Sequence, residues 1–177
     1  MKALKYILPS LGIITLLFLS MGLFSKTSEL KQEYQFKQSR EVVFLSLIDP
    51  RKMHSWIDGL EKIEPVDGYM NGIGAKYLVT INYGDSKYTI LQELVSFQFN
   101  EKLGFKLFPP HMSVLMNVVF ENKDNSTQMY LNTSITGENL FWRSVLILKK
   151  PAIRKIILKD LENLQQLLNT NTPIAGL

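Results

Sequence analysis

Alternating apolar residues in the middle of the chain constrain its fold more than any other feature of the sequence. The run AKYLVTINY places five side chains on one side of an extended chain, namely Ala75, Tyr77, Val79, Ile81 and Tyr83. Further runs that suit strands occupy residues 87–99, 102–108, 112–121 and 127–136. Short polar turns separate them. Closely spaced strands of this kind predict an antiparallel meander.

The carboxyl-terminal part of the chain changes to helical spacing. Its apolar residues recur every three or four positions, at Ile153, Ile157, Leu161, Leu164 and Leu168. This pattern predicts a long amphipathic helix within residues 139–169. Pro151 lacks an amide hydrogen and its ring crowds the preceding turn, so a break or kink is expected between residues 139–149 and 151–169. Residues 170–177 are expected to form a flexible tail.

Two short helices are predicted between a first strand and the meander. The first strand is EYQFKQ (33–38), and Ser39 is a suitable N-cap for the helix after it. Asp49 and Pro50 combine an N-cap with a proline at the first helical position, and Gly59 ends this second helix. The element order predicts an α+β fold, in which a curved antiparallel sheet of about seven strands wraps around the long helix. A cavity lies between them unless large side chains fill it.

An uncharged apolar segment precedes this predicted domain. Residues 6–24 contain no charged side chain, and their number matches the length of a membrane-crossing helix. Residues 1–26 are therefore predicted to be a single-pass transmembrane anchor, with a cleaved signal peptide and secretion as the alternative. The basic start of the chain favours a folded domain outside the cytoplasm. Residues 27–32 are predicted as a linker and 33–169 as the domain.

The charge distribution argues against nucleic acid as a partner. The net charge is +4, but Lys2, Lys5 and Lys26 flank the apolar segment and account for most of it. The folded part therefore lacks the excess of basic residues that is typical of a nucleic-acid-binding domain. The chain has no cysteine, which excludes disulfides, thiolate nucleophiles and cysteine-ligated metals. No histidine spacing resembles a metal site, and no metal or cofactor is predicted.

Three stretches of the domain share a pattern with one known family. VVFLSLIDPRKMHSWIDGLEKIEPVDG holds two short helices with a tryptophan, and GYMNGIGAKYLVT is a glycine-containing turn into a strand. ENLFWRSVLILKKP is followed by the acidic, leucine-rich LKDLENLQQLL. Together they resemble the START-like superfamily, also called SRPBCC, and within it the polyketide cyclase/dehydrase-like branch, although Gln165 stands where a lysine is common. The resemblance implies a helix-grip fold with a hydrophobic cavity that binds lipids, hormones, polyketides or aromatic compounds.

Aromatic and methionine side chains are the candidate ligand contacts, together with one arginine. Apolar walls with a few polar groups are typical of small-molecule pockets, although most of these side chains would also suit a filled core. The candidates are Trp56, Tyr77, Tyr83, Tyr88, Phe105, Met116, Tyr130, Trp142 and Arg143. Arg143 could hold a ligand carboxylate or form a structural salt bridge.

His54 is a weak candidate for catalysis. Imidazole titrates near neutral pH and therefore suits acid–base chemistry. Helical spacing, however, places His54 off the apolar stripe that contains Met53 and Trp56, and no nucleophile motif lies beside it. A solvent-facing or capping position competes with a position at the cavity mouth.

Three functions remain open from the sequence. The first is a membrane-anchored module, held by residues 6–24, that binds a hydrophobic small molecule or lipid. The second is an enzyme of the cyclase or dehydratase type acting on a hydrophobic substrate through His54 or a tyrosine. The third is an interaction domain with a filled core. A basic cluster of Lys149, Lys150, Arg154, Lys155 and Lys159 is either a solvated face or a contact for anionic lipid headgroups.

Overall fold

An antiparallel sheet and a long carboxyl-terminal helix form the body of the protein. The computed structural model describes residues 4–66 and 72–170. In these residues the elements run in the order α1 (Leu4–Phe24), β1 (Thr27–Phe36), α2 (Arg40–Ile48), α3 (Pro50–Trp56), β2 (Leu60–Pro65), β3 (Lys76–Tyr83), β4 (Ser86–Gln98), β5 (Lys102–Phe108), β6 (Met112–Lys123), β7 (Ser126–Gly137) and α4 (Leu140–Thr170). The predicted α+β helix-grip fold is confirmed, with a curved seven-stranded sheet, a long last helix and an amino-terminal helix.

The sheet has two distinct faces. Its strands follow the order β1-β7-β6-β5-β4-β3-β2, and every neighbouring pair is antiparallel. Residues directly opposite each other on neighbouring strands share a face. The inner face is the one that carries Gln32, Leu131, Val118, Leu103 and Phe97, which lie in one row across five strands. This face packs against the helices, and the other is the outer face.

The short helices begin and end where local chemistry requires. The side chain of Asp49 accepts a hydrogen bond from the backbone N–H of Arg51 at 3.0 Å, and Pro50 occupies the first turn of α3. Asp49 is also the residue at which α2 ends. α3 then places Trp56 in the core. The two helices therefore meet at a corner and cover one end of the sheet.

Two clusters of buried residues hold the helices on the inner face. The larger one includes Phe44, whose ring meets Phe97 and Phe120 edge-on, and it takes Leu161 and Leu164 from α4. The smaller cluster consists of Leu30, Ile135 and Leu146. Because α4 contributes to both clusters, burial of its apolar stripe joins the two ends of the sheet.

The end of α1 packs against the start of α4. The backbone N–H of Gly22 donates to Ser144 Oγ at 3.1 Å, and the rings of Phe18 and Phe141 meet edge-on at 5.7 Å between centroids. Within the described residues, no helix is long and apolar enough to cross a membrane. The transmembrane anchor predicted over residues 6–24 is therefore not supported.

Two further expectations differ from the structure. β1 begins at Thr27, so the residues predicted as a linker form a strand paired with β7 and alternate between exposed and buried positions. α4 runs without interruption from Leu140 to Thr170, so the chain is not broken at Pro151. Pro151 is exposed. A proline offers no amide hydrogen to the carbonyl four residues earlier, and on an exposed side of the helix water can take its place. Thr170 ends α4, and the rest of the predicted tail lies outside the described residues.

Candidate ligand-binding site

The inner face is tightly covered at strands β1 and β7 and more open at strands β3, β4 and β5. α4 packs against β1 and β7, and there Phe36, Met129 and Leu131 are almost completely buried. Several inner-face side chains of β3, β4 and β5 are only half-buried: Tyr77, Ile81, Ile90, Gln92, Phe105 and Leu107. We refer to this region as the open half. It is a largely apolar, concave surface and the candidate binding site.

The paired inner-face positions of the described strands carry no charged side chain. Their polar groups are hydroxyls and amides, such as those of Thr133, Gln32 and Gln92. Charged residues occupy the outer face, where for example Glu93 lies opposite Lys106. A buried charge needs a partner of opposite charge, and the inner face offers none. The site is therefore suited to uncharged groups.

Polar contacts fix α4 against the segment that connects α3 to β2. Asp160 Oδ1 accepts the backbone N–H of Asp58 at 3.0 Å, and Asn163 Nδ2 donates to the carbonyl of Trp56 at 3.1 Å. Lys159 Nζ lies 2.6 Å from Asp58 Oδ2. Burial raises the pKa of Asp160 to about 6, and the hydrogen bond from Asp58 offsets this only in part. These contacts hold α4 next to the end of α3.

His54 lies outside the open half. Its side chain is exposed, and Nδ1 is 3.3 Å from the carbonyl oxygen of Leu60. A carbonyl can only accept, so this contact assigns the ring proton to Nδ1. This hydrogen bond of His54 holds the end of α3 next to β2. Within the described residues, no group of three or more histidine, aspartate or glutamate side chains could hold a metal ion.

The predicted aromatic contacts divide between the two faces and the core. Trp56 is buried in the larger cluster, and its Nε1 donates to the carbonyl of Ser46 at 3.1 Å. The side chains that line the inner face and are half-buried are Tyr77, Phe105 and Met116. Tyr83 and Tyr88 share that face by register but are exposed near the β3–β4 turn. Tyr130 lies on the outer face, between the inward-pointing Met129 and Leu131, and so is not part of this site.

Trp142 and Arg143 belong to a separate group of contacts at the start of α4. The ring of His111 stacks on Trp142, with 4.6 Å between centroids and 7° between planes. His111 Nδ1 also lies 3.2 Å from a carboxylate oxygen of Glu138. Arg143 Nε donates to the carbonyl of Gly137 at 3.2 Å. These side chains anchor the turn between β7 and α4, and the arginine is engaged with backbone rather than with an acid.

Two buried polar residues of the inner face are absent from the sequence-based candidates. The polar surroundings of Gln32 predict a linker, and Thr133 is predicted only as part of a strand. The signal that could have found Gln32 is the alternation of TSELKQEYQF, in which Leu30, Tyr34 and Phe36 share its parity. A glutamine in step with apolar residues predicts an inner position.

Solved structures share this fold at low sequence identity. Ara h 8.0201 superposes with a TM-score of 0.68 and 10% identity, covering 82% of this chain and 99% of that one. A protein from Thermus thermophilus gives 0.66 and 14%, covering 82% and 99%. An uncharacterised protein from Rhizobium leguminosarum gives 0.65 and 15%, covering 82% and 96%. No protein-family model and no curated protein sequence matches the chain.

These similarities show the fold and nothing more specific. The likeness to Ara h 8.0201, which has a Bet v 1-like fold, supports the helix-grip fold that the resemblance implied. The polyketide cyclase/dehydrase-like branch is not confirmed. In this chain the half-buried side chains lie on the face of the sheet that packs against the helices.

Proposed function

We propose that this protein binds a hydrophobic small molecule or lipid between the open half and α4. The observation that carries the proposal is the contrast between the two sides of one sheet face. Met129 and Leu131 of β7 are buried, whereas Tyr77, Phe105 and Leu107 on the same face of β3 and β5 remain half-buried. A fully packed core would leave no such row of partly covered apolar side chains next to a helix.

Binding would come mainly from burial of apolar surface. Each 100 Å² of apolar ligand surface removed from water contributes about 2.5 kcal/mol before the cost of association. Tyr77 and Gln92 lie opposite each other on β3 and β4, and their polar atoms could orient a ligand. An interaction domain with a filled core remains the alternative.

A matched pair of substitutions on one strand tests the proposal. Met116 lies on the inner face of β6 and Leu115 lies on its outer face. We expect Met116→Trp to fill the interior and to weaken binding of the neutral fluorophore 1-N-phenylnaphthylamine at least about tenfold. Leu115→Trp adds the same ring outside and should bind like the unmodified chain. Equal binding by both variants, measured by fluorescence titration, would refute the proposed site.

The enzymatic alternative stays a prediction. The cyclase or dehydratase activity implied by the branch would need an acid or base beside the ligand, whereas His54 is exposed and contacts the Leu60 carbonyl. We therefore expect His54→Ala to leave fluorophore binding unchanged. Mass spectrometry of molecules extracted from the purified protein would identify the natural ligand.

We also propose that α1 attaches the protein to a lipid bilayer without crossing it. The exposed side chains of α1 include Leu11, Ile13, Ile14, Leu16 and Leu17. A helix that is apolar all round and exposed is suited to a lipid environment. Near its docking site, α4 exposes Leu148 beside Lys149 and Lys150, a combination that suits anionic headgroups. A position of the folded domain outside the cytoplasm, or secretion after cleavage, stays a prediction.

Vesicle sedimentation tests the attachment. Leu16→Glu/Leu17→Glu should abolish binding to vesicles that contain phosphatidylglycerol, because two charges would enter the hydrocarbon region. Leu78→Glu, an exposed leucine on the outer face of β3, is the matched control and should sediment normally. Lys149→Glu/Lys150→Glu should weaken binding to anionic vesicles more than to phosphatidylcholine vesicles. Full binding by the α1 variant would contradict the proposal.

A further inference from the structure

Two buried polar side chains interrupt the apolar packing beneath α4. Gln32 of β1 is 6% exposed and Thr133 of β7 is 1% exposed. Among the described residues, neither Nε2 nor Oε1 of Gln32 has a hydrogen-bond partner, and the Oγ1 of Thr133 has none either. Nearly all buried polar groups in folded proteins are satisfied, because an unpaired one loses its bonds to water without replacement. In the described part of the chain these three atoms therefore lack a partner, which a bound molecule or a buried water could supply.

The register of the sheet brings the two side chains together. Gln32 lies opposite Leu131, and Thr133 is the next inner-face residue of β7, opposite Leu30. Diagonal neighbours of this kind have backbones about 7–8 Å apart, within the reach of a long side chain. The amide of Gln32 and the hydroxyl of Thr133 can therefore contact the same group of a bound molecule. We refer to them as the polar pair.

The polar pair lies between the two apolar clusters. On β7, Thr133 separates Leu131 of the larger cluster from Ile135 of the smaller one. On β1, Gln32 follows Leu30 of the smaller cluster in the same way. Ile157 of α4 packs against both clusters and therefore lies above the boundary between them. The core is thus divided at the level of the polar pair.

A row of inner-face residues leads from the polar pair to the open half. Thr133 lies opposite Met116, and Met116 lies opposite Phe105. Both of these side chains are half-buried. Strands are about 4.8 Å apart, so Phe105 is about 10 Å from Thr133 across the sheet. An elongated molecule lying over Phe105 and Met116 would therefore end at the polar pair.

We propose that the polar pair holds the head group of an elongated, uncharged amphiphile whose apolar body lies over Met116 and Phe105. This inference rests on the proposed function and adds the chemical class of the ligand. The glutamine amide can donate and accept, and the threonine hydroxyl can do both. An alcohol or amide head satisfies them. An ionised head is excluded, because the inner face has no opposite charge to accompany it.

Two probes of equal chain length test the proposal with the full chain. Isothermal titration calorimetry at pH 8 compares 1-decanol with decanoate, which is ionised at that pH. The wild type should bind 1-decanol at least about tenfold more tightly. Gln32→Leu/Thr133→Val should lose about tenfold in affinity for 1-decanol, since one or more hydrogen bonds to the head are removed. Gln128→Leu, on the outer face of β7, should bind like the wild type.

A spectroscopic measurement keeps the test valid if the double variant folds poorly. The side-chain amide signals of Gln32 in a ¹H–¹⁵N spectrum of the wild type, assigned by their absence in Gln32→Leu, should shift when 1-decanol is added. If the wild type binds 1-decanol, either unchanged Gln32 signals or unchanged affinity of the double variant would mean that buried water satisfies the polar pair, and the inference would be overturned while the proposed function stands. Binding of decanoate as tightly as 1-decanol would also overturn it. Failure to bind either probe or 1-N-phenylnaphthylamine would remove the proposed function as well.

Discussion

The indole Nε1 of Trp56 donates a hydrogen bond to the backbone carbonyl of Ser46, at 3.1 Å. Ser46 is in the last turn of α2, where carbonyls have no partner within the helix. Trp56→Phe should lower the free energy of unfolding by about 1–3 kcal/mol, because the buried carbonyl would lose its donor. Urea denaturation measures the change. Trp142→Phe keeps a ring against His111 and should cost less, so equal losses would argue against the hydrogen bond as the cause.

Alanine substitutions at Gly59 and Gly84 distinguish the cost of a strained backbone from the cost of a steric overlap. Both have positive φ, at 73° and 58°, but a Cβ on Gly59 would overlap the carbonyl of Asn82, whereas one on Gly84 would meet open space. Gly84→Ala should cost about 1–2 kcal/mol from the left-handed backbone alone. Gly59→Ala should cost about 2–5 kcal/mol, because the two backbones must also move apart. Thermal and urea denaturation measure the stability of the two variants. Similar losses of stability would contradict the overlap assigned to Gly59.

Gly22 determines whether α1 can stay docked on α4. A Cβ there would lie 2.5 Å from the carbonyl oxygen of Leu140 and 2.7 Å from Ser144 Oγ. Gly22→Ala should therefore detach α1, seen as faster amide hydrogen exchange in α1 while the β-sheet amides stay protected. Gly12 has nothing within 4 Å of its Cβ position, so Gly12→Ala should only strengthen the helix, by about 1 kcal/mol. Slow exchange of α1 in Gly22→Ala would show that this contact does not hold the helix.

Asp160 should make stability depend on pH. Burial raises the pKa of Asp160 to about 6 from its ordinary value of 3.8, so between these values the folded state holds a proton that the unfolded state has lost. This contribution is fully present below pH 3.8 and is lost as pH rises through 6. Asp160→Asn should remove it, because the amide oxygen can still accept from Asp58 without carrying charge.

The measurement is the free energy of unfolding from about pH 4 to pH 7. The difference between Asp160→Asn and the wild type should grow in favour of the variant across this range. Asp85→Asn changes an exposed carboxylate in the β3–β4 turn and should show no such trend. Parallel pH profiles for the wild type and Asp160→Asn would refute the assignment.

The candidate site could be predicted only in part from the sequence. Period-two spacing correctly groups Tyr77 with Val79 and Ile81 on one face, because alternation depends only on backbone geometry. Tyr130 is a candidate by its chemistry, although its parity within TQMYLNTSIT already separates it from Met129 and Leu131. For that residue, the pattern contains more information than the residue type.

Other features required the folded molecule. No local signal indicates that Ser144 would meet Gly22, since the two residues are far apart in the chain and become neighbours only when α4 lies on the sheet. The same holds for Gln32, whose burial depends on α4 covering β1. A polar residue next to charged ones resembles a linker until a helix excludes water from one side of its strand.

The sequence alone determined the order of the elements, a meander of strands followed by one long helix. Alternation specified the strands, the spacing of Leu161, Leu164 and Leu168 specified the long helix, and Asp49 with Pro50 specified where α3 begins, because each depends on residues close together in the chain. The tertiary structure decided which part of the inner face stays open and which polar groups it buries. Those properties depend on how far α4 lies across the sheet, and that position results from packing between residues distant in sequence.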